Sequence, residues 1–179
     1  MKMRRMLPAD APIVWEKYRI ARHQLSVDLP KMPVRVGSQD LCSFFTRTSF
    51  FSYADEAVYE VTVVAKSDLP MPIDCRERRV FSDSTLTARL GELRSGKPQM
   101  AETSSMQSGR QAYRFAGEQN AAEYVRWVIP DMEKDRWIEI AVVRRTDKKS
   151  LEESFFKSLD LTGTTGKEVG GGASVMLGL

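Results

Sequence analysis

The chain has one histidine, His23, and two cysteines, Cys42 and Cys75, among 179 residues. With a single imidazole and no CxxC pair, a structural zinc site has too few ligands. A Ser-His-Asp or Cys-His arrangement would have to run through His23, and no G-x-S-x-G elbow is present. "GTTGKEVGGG" contains Gly-Lys but lacks the spacing and preceding strand of a phosphate loop. No alternating Asp/Asn loop for calcium occurs. Neither cofactor nor catalysis is expected. Long apolar runs are missing too, so no segment reaches the ~20 residues of a membrane span. "MKMRRML" has the charged start of an export signal, yet "PADAPIVWEK" follows without the ~7–15 apolar residues needed. The default expectation is the cytoplasm; a chain trimmed of its export signal would read the same.

What is present belongs to a globular protein: 42% hydrophobic, 28% charged, net charge +3, and a length suited to one domain. Residues 1–19 read as an N-terminal arm in which Trp15, Tyr18 and Ile20 lay an extended piece or a helical turn on the domain. "HQLSVDLP" alternates Leu25, Val27 and Leu29 with polar residues, a half-buried strand stopped by Pro30. "KMPVRVGSQD" reads as a turn-rich connection. "LCSFFTRTSFFSYA" and "DEAVYEVTVVAK" are strands of a plausible hairpin, the second with Tyr59, Val61 and Val63 on one face. In "FSDSTLTARLGELRSG", Leu86, Leu90 and Leu93 share a helix face, with Ser82 or Asp83 to cap it and Gly96 to stop it.

Four β-type runs follow. "PQMAETSSMQ" is weak and "GRQAYRFAG" clearer, while "AEYVRWVIP" and "DRWIEIAVVRR" are adjacent and suit antiparallel pairing. "TDKKSLEESFFKSLDL" closes the domain as a helix, with a Ser150–Glu153 capping box and a Leu151, Phe155, Leu159 face. Residues 162–179 are Gly- and Thr-rich and read as a flexible tail.

The order of these pieces resembles the PsbP-like fold family, which includes the extrinsic oxygen-evolving subunit of photosystem II and a Ran-binding nuclear import factor. The motifs that carry it are "HQLSVDLPKMPV", "AVYEVTVVA", "SDSTLTARLGEL", "GRQAYRFAG", "DRWIEIAVVRR" and "FFKSLDL", in that order. The resemblance implies an α+β fold over 20–161: a central antiparallel sheet of about six to seven strands flanked by helices, an α/β/α sandwich. It implies binding or assembly roles and supplies no catalytic residue. The basic run "RERR" and the absence of a lipid-anchor cysteine near the start depart from the pattern.

Two surfaces are candidates for function. Tyr124, Arg126, Trp137 and Glu139, taken as exposed sheet positions, would join Arg144 and Arg145 in the aromatic-plus-Arg composition that protein interfaces favour. The alternative for Trp137 is simple packing beneath a helix. Likewise, the basic pair ending "DRWIEIAVVRR" has a structural explanation, since terminal charge discourages edge-to-edge strand pairing. The second surface gathers Arg76, Arg78, Arg79, Lys148 and Lys149 with Arg144 and Arg145, where nucleic acid or another anionic surface would bind. Cys75 lies within that basic run, where cations lower a thiol pKa, although a catalytic thiol also wants an imidazole base. A protein partner is the leading expectation.

Overall fold

The computed structural model describes residues 14–39, 45–67, 81–96, 99–107, 109–145, 151–169 and 175–176. Strands β3 (Val34–Gln39), β4 (Phe45–Ala54), β5 (Ala57–Lys66), β6 (Ala101–Gln107), β7 (Arg110–Gln119), β8 (Ala122–Asp131) and β9 (Arg136–Arg145) form one antiparallel sheet. Its order is β3-β4-β5-β9-β8-β7-β6, within the six to seven strands expected from the sequence. The β4–β5 and β7–β8 hairpins turn through two residues each, Asp55-Glu56 and Asn120-Ala121, all four at positive φ. That left-handed pair matches the strand twist. The long-range step is β5 onto β9, which puts the last long strand at the centre of the sheet. There it is covered on both faces from Arg136 to Val142.

Strand alternation sorts the apolar residues onto two faces. One carries Tyr59, Val61, Val63, Ile138, Ile140 and Val142. It is closed by α2 (Glu152–Ser158) and by a small sheet of β1 (Glu16–Ile20), β2 (Leu25–Leu29) and β10 (Lys167–Glu168). Phe155 reaches Tyr59 edge-on at 5.3 Å, and Phe156 stacks on Trp127 at 3.8 Å. The other face carries Val64, Trp137, Val128 and Phe115, roofed by α1 (Asp83–Ser95) through Leu86, Leu90 and Leu93, as the leucine spacing predicts. Phe81 stacks on Trp137 at 5.3 Å. The flanking layers are therefore one short helix on one side and a helix plus three strands on the other, so helices flank this sheet less than an α/β/α sandwich implies.

Three segments differ from the sequence reading. The end of the N-terminal arm is the extended alternative, β1, with Tyr18 and Ile20 in the core. The segment taken as a connection after Pro33 is β3, which pairs with β4 over six residues. Part of the tail read as flexible is ordered as strand: β10 runs parallel to β1, and β11 (Val175–Met176) runs parallel to β3. The physical reason lies in the glycines. Gly163 sits at φ +58 against β2, where a Cβ would overlap the backbone nitrogen of Leu25. Gly166, at φ +122, has the same closeness to the Lys17 carbonyl. These glycines allow close backbone approach and do not mark free chain. Ser150 lies outside the described residues, and α2 starts at Glu152 after the boundary residue Leu151.

Two opposite substitutions test this account of backbone strain by urea denaturation. Gly163→Ala is expected to lower the unfolding free energy by about 2–3 kcal/mol through strain and overlap. Ala121→Gly relieves a left-handed alanine in the β7–β8 turn and is expected to raise it by about 0.5–1 kcal/mol.

Candidate functional site

The face beneath α1 divides into cross-strand rows. Nearest the helix, Val64 and Trp137 are direct partners. Beyond them runs a belt of charge. Glu139, 1% exposed, receives a bidentate fork from Arg89 of α1, Nε to Oε1 at 2.8 Å and Nη2 to Oε2 at 2.9 Å. Arg126 Nη1 donates to Oε2 at 2.5 Å and the Trp137 indole Nε1 donates to Oε1 at 3.2 Å. Arg126 Nη2 continues to Glu60 at 3.0 Å, and Glu60 accepts from Thr62 Oγ1 at 2.6 Å. Burial alone would push the Glu139 carboxyl up, but the Arg89 hydrogen bond and the charges of Arg126, Arg89 and Arg47 hold it down at about 2. The same bond raises the Arg89 guanidinium against the effect of its burial. A carboxylate with four donors that stays ionised across the working pH range has no proton to exchange. The belt fastens α1.

Past the belt the face is open. Tyr53 of β4 pairs with Val58 of β5, Val58 with Val143 of β9, and Val143 with Tyr124 of β8. This makes an apolar strip across four strands. At its β3–β4 end, Val34, Phe51 and Met32 join it around a groove of about 420 Å³. Met32, Val34 and Tyr53 are 55%, 66% and 56% exposed, three of the five large exposed apolar residues among those described. Their clustering distinguishes them from the scattered apolar residues that every surface carries.

The candidate patch is therefore corrected. Of its six residues, Tyr124, Arg126, Trp137, Glu139 and Arg145 share this sheet face, but Trp137 and Glu139 are buried, not exposed. Trp137 takes the alternative role, packed beneath a helix, because α1 and Phe81 cover that end of the sheet. Arg126 is committed to Glu139 and Glu60. Arg144 turns to the opposite face and pairs with Glu123, while Arg145 lies 3.6 Å from Glu56. Tyr124 alone of the original aromatic pair belongs to the open strip.

Arg76, Arg78, Arg79, Lys148, Lys149, Cys42 and Cys75 lie outside the described residues. Among the described residues no group of three His, Cys, Asp or Glu is placed to hold a metal ion, and no helix is long and apolar enough to cross a membrane. Sequence reasoning missed Val34, Phe51, Tyr53, Val58 and Val143. A signal existed: Tyr53 and Val58 flank the two-residue turn symmetrically, and Val58 is apolar next to Glu60 and Thr62 on the same side of β5.

The belt makes a pH prediction. Glu139 has a folded pKa of about 2 against an ordinary 4.5, so its stabilisation is complete above about 4.5 and is lost as pH falls towards about 2. Glu139→Gln is expected to lower the unfolding free energy by about 3 kcal/mol at neutral pH, because it leaves Arg89 without its buried partner. Denaturation at stepped pH should show the gap between variant and parent closing through that acid window.

No family model matches the chain, and no curated protein matches it. Among solved structures it is similar to the solution structure of cyanobacterial PsbP (CyanoP) from Synechocystis sp. PCC 6803. The two share 11% identity at a TM-score of 0.48, over 87% of this chain and 96% of that one.

Proposed function

We propose that the chain is a non-catalytic binding domain that docks a protein partner on the open half of the α1 face. One observation carries this reading: in the strip Tyr53–Val58–Val143–Tyr124, continued by Met32 and Val34, Tyr53, Met32 and Val34 are exposed and the rest half-buried, beyond the rows that α1 roofs. Tyrosine and methionine are enriched where interfaces form, and a rigid sheet presents them at little entropic cost. Lys31 borders the strip, which fits an apolar ridge with a carboxylate beside it on the partner. The saturated Glu139 supports the non-catalytic part of the proposal, since the one deeply buried carboxylate of this face is occupied in holding the fold.

The test pairs Val34→Glu with Tyr53→Glu, both at exposed positions that leave the core untouched. A partner captured from the source cell is purified and its affinity measured by calorimetry against the parent and the folded double variant. A loss of at least tenfold is expected. Equal affinity would place the partner elsewhere and overturn the proposal. Sedimentation of the purified chain alone completes it: self-association abolished by the same variant would make the occupant a second copy and overturn the separate partner.

A further inference from the structure

At the far end of β5 and β9, about 25 Å from the apolar strip at ~3.3 Å per strand residue, the molecule has a different surface. Two 3-10 turns stand side by side there, Ala21–His23 and Met132–Lys134, each ended by a left-handed residue, Gln24 and Asp135. Asp135 ties the second turn to β5 through its carbonyl, which accepts the Lys66 N–H at 2.9 Å. Between the turns and the ends of β4, β5 and β9 lies a cleft of about 250 Å³. Arg22, Lys66, Lys134 and Arg136 line it, with the polar side chains of Gln24 and Thr46, and no carboxylate among the described residues does.

Half of this charge, that of Arg22 and Lys134, has no carboxylate partner among the described residues. Lys66 and Asp135 are 3.6 Å apart and both more than half exposed, a weak surface pair. Lys134 donates to the Leu161 carbonyl, which carries no net charge. Arg136 is the fixed member. Its guanidinium is buried, donating to Asp131 Oδ2 from Nε at 2.7 Å and to the His23 carbonyl from Nη1. Asp131 also lies 3.0 Å from Arg110, which has Glu133 as a second partner at 2.9 Å. His23 lies beside these groups: burial, then the charges of Arg22, Arg136 and Arg35, push its imidazole down to about 4.

We propose that this cleft binds a small oxyanion of the phosphate class, either free or carried as a phosphomonoester. Three exposed cations, Arg22, Lys66 and Lys134, arriving from three separate segments suit a group with three or more acceptor oxygens and close to two charges. A single carboxylate would leave part of that charge unanswered. The volume of this open cleft is below the ~300 Å³ at which drug-sized ligand pockets begin, which suits a compact anion and not a polymer track. Arg136, buried and held by Asp131 and the His23 carbonyl, forms a fixed wall of the cleft, while Arg22, Lys66 and Lys134, all exposed, supply the charge that an anion meets.

The only histidine in the chain makes the test direct, because the proton spectrum contains one imidazole ring. Inorganic phosphate is titrated into the full chain at neutral pH, with chloride lowered to keep ionic strength constant. The His23 ring signal is expected to shift and saturate. In the double variant Arg22→Gln with Lys66→Gln, both exposed positions, affinity should fall at least tenfold. Lys157→Gln, an exposed charge on α2, should leave it unchanged. A parallel titration with phenyl phosphate separates the sources: tighter binding of the ester names a phosphomonoester, tighter inorganic phosphate names the free ion. No saturable shift with either, or equal affinity in the double variant, would overturn the proposal. The apolar strip is untouched by every variant used, so the two readings stand or fall separately.

Discussion

Both α-helices among the described residues are held to the sheet by the same three-part contact: a carboxylate, a bidentate arginine fork and an indole N–H. On one face the carboxylate is Glu139 of the sheet, the fork comes from Arg89 of α1, and the indole is Trp137. On the other the carboxylate is Glu152 of α2, the fork comes from Arg114 of β7, and the indole is Trp127. The first is buried and the second half-buried, so the first contributes more to fixing its helix. Leucine and phenylalanine faces bring the helices down; the forks choose where they land, because a bidentate contact is satisfied in one geometry only.

That placement determines what remains available. α1 is anchored over Val64, Trp137 and Val128, and thirteen residues of helix do not extend over the next rows. Arg126 and Glu60 then carry charge inward from Glu139, separating the roofed apolar rows from the open strip beyond. The opposite ends of the same two strands, β5 and β9, thus acquire opposite characters: apolar and aromatic near the Asp55-Glu56 turn, cationic near the two 3-10 turns. A single rigid sheet presents both.

Much of the strand content is legible from alternation alone. The runs containing Tyr59–Val63 and Ile138–Val142 pack as their period requires, and the leucines of α1 face the sheet. The fate of Trp137 and Glu139 is not legible in the same way. Their side of β9 mixes an aromatic with a charge, a pattern that reads as solvent-facing until Arg89, fifty residues earlier, closes over it. β3 hides behind Pro30, Pro33 and Gly37, and its identity comes from its pairing with β4. The glycines of the tail read as freedom, whereas Gly163 and Gly166 mark contact with the backbones of Leu25 and Lys17. The cationic cleft draws Arg22, Lys66, Lys134 and Arg136 from positions too far apart for any local motif. In each case the missing information is tertiary: which distant segment covers, pairs with or neutralises a given residue.

The claim on which the rest depends is that Arg89 and Glu139 act as one unit in seating α1. A double-mutant cycle of Arg89→Met and Glu139→Gln, read by urea denaturation at neutral pH, measures that directly. The account predicts a coupling energy of at least about 1.5 kcal/mol between the two positions. A coupling near zero would contradict it and leave the helix held by its leucines alone.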